Sequence, residues 1–146
     1  MTTREKVFSY LATTLTGYLQ STFGLKSACS RVLDEDPEKL QAEGTPRCWL
    51  LEESSSLSDD SGYAIREVHF TVYGCVKLGA NTNDAGCIQA QLNELEACIE
   101  NLLWISVING VGVCIIPEDG ARVTTAAGEL EGWITYPLVV KFGRTA

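Results

Sequence analysis

Two long stretches of strict alternation, with an amphipathic helix pattern between them, leave this chain few ways to fold. From Val68 to Leu78 the even positions are Val68, Phe70, Val72, Gly74, Val76 and Leu78, and the odd ones are His69, Thr71, Tyr73, Cys75 and Lys77. A period of two places one side of an extended strand in a core. The register returns in Ile134, Tyr136, Leu138, Val140 and Phe142, opposed by Trp133, Thr135, Pro137, Val139 and Lys141. Proline cannot donate to a strand ladder, so Pro137 predicts a sheet edge or a bulge. With Trp133 and Val139 beside it, that edge is either covered by a neighbour or simply guarded by its proline.

Between the strands, Ile88, Leu92, Leu95, Ile99 and Leu102 recur at helical spacing, while Gln89, Asn93, Glu94, Glu96 and Glu100 take the other side. This predicts a helix with one buried stripe, capped by one of Asn81, Thr82, Asn83 or Asp84. An earlier helix opens at Thr2 and Glu5 in capping-box spacing, continues through Phe8, Leu11, Leu15 and Tyr18, and stops at Gly24. Shorter strands are expected at Ala28 to Leu33, Cys48 to Leu51 and Gly110 to Ile116, with Pro117 to Gly120 as a turn and Arg122 to Gly128 as a hairpin arm. Asp34 to Pro46 reads as a surface connection. The serine-rich stretch 52–62 reads as a second surface loop, too poor in apolar residues to pack. The expectation is one α+β domain over 1–146: a mostly antiparallel sheet of about four strands, with two helices on one face.

The chain carries −8 at neutral pH, and the segment from Asp34 to Asp60 contributes −7 of it. That sign opposes binding to a phosphate backbone. It equally describes a solvated acidic loop, or a surface that DNA passes without sticking. No basic start leads into an apolar run, and nothing approaches the ~20 apolar residues of a bilayer span, so a soluble cytosolic product is expected.

The six cysteines, Cys29, Cys48, Cys75, Cys87, Cys98 and Cys114, contain no CxxC or CxxxC pair. Without a secretion signal they read as small buried hydrophobes rather than as disulfides or zinc ligands. His69 is the only histidine. A Cys–His pair with Cys75 or Cys114 is open as an alternative, against an ordinary surface histidine. Gly110-Val111-Gly112 lacks the third glycine of a dinucleotide loop and the lysine of a phosphate loop. Glu96 and Glu100 stand four apart, which suits a cation but more often marks a wet helix face. No cofactor, metal or catalytic residue is expected.

In the order of its features the chain resembles the tail-terminator proteins of long-tailed phages, the lambda-type terminator among them, and related neck proteins. The resemblance runs from Glu5-Lys6-Val7-Phe8 through Ser30-Arg31-Val32, the Pro37, Leu40 and Pro46 connection and Trp49-Leu50-Leu51. It continues through Arg66-Glu67-Val68-His69-Phe70 and the Leu92 to Trp104 helix to Tyr136-Pro137-Leu138-Val139-Val140. It implies a non-enzymatic virion protein, made in the host cytoplasm and resident in the tail or neck. Such a protein closes into a ring of six that caps the tail tube and presents its other face to the head–tail connector, while DNA passes through the lumen. On this reading Asp59, Asp60 and Arg122 are candidate ring-to-ring contacts, and Trp133, Pro137 and Val139 candidate subunit contacts. A head-completion or stopper protein and a monomeric cytosolic adaptor or binding domain are the alternatives.

Overall fold

The first helix, α1 (Thr3–Phe23), begins where the sequence caps it: the Thr2 hydroxyl accepts the Glu5 N–H at 3.1 Å. It ends at Gly24, whose φ of 111° no side chain tolerates well and whose N–H donates to the Gln20 carbonyl at 3.0 Å. The computed structural model describes residues 2–31, 46–60, 63–77, 85–118, 122–125 and 131–143. After α1 come β1 (Ala28–Ser30), β2 (Arg47–Asp60), β3 (Tyr63–Lys77), α2 (Ala85–Glu100) and a 3-10 turn (Asn101–Trp104). Then follow β4 (Val107–Ile108), β5 (Val111–Pro117), β6 (Arg122–Thr125) and β7 (Glu131–Gly143).

The sheet is larger than expected and mixed. Its strands run in the order β1-β2-β3-β7-β5-β4, with β6 also paired to β7, giving seven strands where about four were expected. The pairs are antiparallel except β1 with β2, which is parallel. The spine is the pairing of the two alternating segments, β3 with β7, in unbroken register from Ile65↔Gly143 to Lys77↔Glu131. Alone, each would leave its backbone groups without a ladder partner. Paired, they offer one continuous apolar face.

Both helices lie on that face. Val7, Phe8, Leu11, Leu15 and Leu19 of α1, and Ile88, Leu92, Leu95 and Ile99 of α2, join Val68, Phe70, Val72, Ile134, Tyr136, Leu138 and Val140 in one core. Phe8 meets Phe70 edge to face, with centroids 5.3 Å apart. Gly74 lets α2 approach the sheet, since a Cβ there would lie 2.6 Å from side-chain carbons of Ile134 and Leu95.

The largest departure from expectation is the serine-rich stretch. Instead of a surface loop, β2 continues to Asp60 and pairs with β3 as far as Asp60↔Tyr63. Serine has little preference for strands, but Ser55 to Ser58 face Val68 to Ile65 of β3, which are themselves paired with β7. Tertiary pairing overrides composition here. Of the other expected connection, 34–46, only Pro46 lies within the described residues.

Candidate interaction surface

The odd-numbered residues of β3 and β7 form the sheet's second face, away from the helices. Alternation predicts this face to be polar and wet, and only part of it is. Trp49 of β2 stacks on Trp133 of β7 across the intervening β3, with ring centroids 6.0 Å apart at 23°. Trp49 and Cys75 are fully buried, and Thr71 and Val139 nearly so. Thr71 is satisfied because its hydroxyl donates to Glu53 Oε1 at 2.7 Å.

Val139, expected to point outward to a neighbour, is 3% exposed. Register places it between His69 of β3 and Ile116 of β5. His69 Nδ1 meets the Glu118 carboxylate at the end of β5, so a side-chain bridge spans β7 close to Val139. His69 Nε2 is 3.5 Å from Glu67. The histidine is thus engaged with two carboxylates; of the two thiols open as its alternative partners, Cys75 lies six positions along β3 and is fully buried, and Cys114 stands opposite Lys141 on β5, two residues from the Ile116 that flanks Val139.

Pro137 sits in an inner strand, not at an edge. It faces Thr71 of β3 on one side. On the other side, β6 pairs β7 from Gly132 to Thr135 and β5 pairs it from Leu138 to Phe142, so Pro137 falls in the gap between them. Its carbonyl accepts the Glu118 N–H at 3.0 Å, on the β5 side. A strand residue sends its N and its carbonyl to the same side, so the missing donor also faces the gap and the ladder to β3 loses nothing. Trp133 and Pro137 are half-buried on this face.

Asp59 and Asp60 end β2 opposite Ala64 and Tyr63, and Arg122 begins β6 opposite Thr135. These positions are far apart in the sheet order: β2 lies near one end, and β6 on the other side of β3 and β7. The expected arm from Arg122 to Gly128 is a strand over 122–125, and 126–130 lies outside the described residues. Along β2, Glu53 to Ser58 are six consecutive exposed residues. Register shifts between Glu52 and Ser55, and this bulge exchanges the two faces of the strand, so Leu57 shares a side with Arg66 and Val68.

Two features escaped the sequence reading. The first is an ionic network joining α1 to the sheet: Arg4 Nε to Glu52 Oε1 at 2.8 Å, Arg31 Nη2 to Glu52 Oε2 at 2.6 Å, and Arg31 Nη1 to Glu5. The Arg31 hydrogen bond holds the Glu5 carboxyl below its usual range, against a smaller opposing effect of burial. The guanidinium also lies 5.9 Å over the Phe8 ring. No local spacing links Arg4, Glu5, Arg31 and Glu52, so the network has no sequence signature. The second is Trp104, 86% exposed at the end of the 3-10 turn, with Val107 58% exposed nearby in the chain. The break of helical period after Leu102 is its only signal.

Cys48, Cys75 and Cys98 are buried in the packing, Cys29 is partly buried and Cys114 is exposed. Burial pushes Cys29 up to about 12, and pushes Cys48 up as well, with the neighbouring thiols Cys29, Cys98 and Cys75 adding to the effect. Such groups are poor nucleophiles. Among the described residues no group of three or more His, Cys, Asp or Glu side chains is arranged to hold a metal ion, and no helix is long and apolar enough to cross a membrane.

No family model matches the chain, and no curated protein matches it. Solved structures are similar to it. One, whose name describes no function, aligns over 99% of this chain and 98% of its own at a TM-score of 0.51 and 14% identity. At that identity the likeness speaks of fold alone. Another, a chain of the "Virion of native gene transfer agent (GTA) particle", aligns over 91% of this chain and 94% of its own, with a TM-score of 0.49 and 10% identity.

Proposed function

We propose that this chain is a structural virion protein of a long-tailed phage: a subunit of a six-membered ring that caps the tail tube, stops its growth and offers the opposite face to the head–tail connector. The observation that carries the reading is the surface. β2 carries six consecutive exposed residues, Glu53 to Ser58, and Trp104 is 86% exposed. Both are what an assembly uses, since exposed aromatic side chains anchor interfaces and strand edges accept neighbours. Ring closure requires two different surfaces on each subunit, and the two sides of the β3–β7 spine differ: β2, with 14 residues and four carboxylates, flanks one, and the shorter β5, with 7 residues and no charge, flanks the other. The order of sequence features shared with tail terminators supports the same reading, and so does the acidity of the 34–60 segment, which leaves passing DNA unbound. No catalytic residue is needed, because the activity is assembly.

The test is particle assembly without the protein. Tails longer than normal in electron micrographs, shortened again when the protein is added back during assembly, are the expected outcome. Normal-length detached tails with leaking heads would assign the chain to head completion instead. A strict monomer in sedimentation velocity at high concentration, with no ring formed on added tail tubes, would favour an adaptor domain.

A further inference from the structure

We propose that the outer edge of β2, from Ser55 to Asp60, takes an added strand from an extended, cationic segment of a protein partner. The proposal rests on this edge and does not depend on ring formation. β1 pairs with β2 only at Arg47, Cys48 and Trp49. Beyond Trp49, the side of β2 away from β3 has no strand partner among the described residues. In such an edge every second residue directs both its N–H and its carbonyl away from the sheet, ready to template another strand. The bulge after Glu52 leaves an uninterrupted run from Ser55 to Asp60, about 20 Å of strand at ~3.3 Å per residue.

Natural edges are guarded by charged side chains, above all lysine, by proline and by bulges; beyond its bulge this edge has no proline and no lysine, and its run from Ser55 to Ser58 carries no charge. The residues from Ser54 to Ser58 are instead small or only moderately sized, and all are exposed. Serines make no deep pocket, so selectivity falls to the main chain and to charge. The charge has one sign: Glu52, Glu53, Asp59 and Asp60 are the only ionisable groups in 49–60, and Glu52 is already engaged by Arg4 and Arg31. A second copy of the same strand would bring aspartate and glutamate against their like. A strand bearing lysine or arginine is complementary, whereas a phosphate backbone is repelled. Leu57, 45% exposed, adds one apolar contact for the residue placed opposite it.

The experiment uses the full chain and three synthetic peptides of about eight residues each. The first alternates lysine with valine, the second alternates glutamate with valine, and the third is the lysine peptide with alternate backbone amides methylated. Amide hydrogen exchange over 53–60 is the readout. The lysine peptide is expected to slow exchange about tenfold or more, and the other two to leave it unchanged. Asp59→Lys with Asp60→Lys, both at the tip of the strand, should abolish the protection while leaving thermal unfolding of the domain in place. Equal protection by the methylated peptide would reduce the effect to charge alone and overturn strand addition. Equal protection by the glutamate peptide, or none by any of the three, would overturn it as well.

Discussion

At Gly74 the sheet tolerates no side chain. A Cβ built there would stand 2.6 Å from Cγ2 of Ile134 and 2.6 Å from Cδ2 of Leu95. Leucine can turn its end aside, but a β-branched isoleucine is stiff at χ1, so the clash must move α2 or β7. Gly74→Ala is therefore expected to destabilise the fold by about 1–3 kcal/mol, measured by urea unfolding. Alternation alone marks Gly74 as an inward position. Why it must be glycine is visible only once α2 lies across it. Tyr136 makes a second residue-scale test. Burial raises its phenol to about 12, and the hydrogen bond it donates to Glu100 Oε2 at 3.1 Å adds to the rise. The folded phenol keeps its proton longer than the unfolded one, so this contribution is complete below pH 10 and fades as the pH climbs toward 12. Tyr136→Phe should lower stability at pH 8 and converge on the wild type as the pH rises through that window, with absorbance titration of the phenol as the check.

At the scale of elements, β7 shows how a strand forbidden by one rule is permitted by its surroundings. Proline in an inner strand normally removes a ladder bond, yet Pro137 turns its missing donor toward the gap between β5 and β6. Pro137→Val should therefore cost no more than about 1 kcal/mol, chiefly through the freer unfolded chain. Urea unfolding of the variant beside the wild type is the check. Both helices and both long strands were legible, because the apolar residues that drive burial also carry the period. The β4–β5 hairpin has a sequence signal as well: Asn109-Gly110 has φ of 50° and 80° and joins Ile108↔Val111, the turn that Asn-Gly favours between paired strands. The distal half of β2 was not legible. Glu53 to Ser58 have neither strand-forming side chains nor an apolar face, and only β3 beside them makes them extended.

For the molecule as a whole, the network of Arg4, Glu5, Arg31 and Glu52 is the polar tie between α1, the chain after β1, and β2. Glu5 has its carboxyl lowered first by the Arg31 hydrogen bond. A lowered folded value means that this stabilisation is present above the unfolded titration near pH ~4.3 and is lost as the pH falls through the folded one. Glu5→Gln should be less stable than the wild type at neutral pH and match it in strong acid, as thermal unfolding across pH would show. Of the candidate contacts, Trp133 and Pro137 remain partly accessible and Val139 does not. Asp59, Asp60 and Arg122 belong to strands on opposite sides of the β3–β7 spine. The order and amphipathicity of the main elements follow from sequence alone, since a buried stripe repeats every two or every three to four residues whatever it packs against. Strand count, the parallel β1, the inner position of Pro137, the burial of Val139 and the ionic tie follow only from tertiary structure. Each depends on which distant segments become neighbours, and no local periodicity records that.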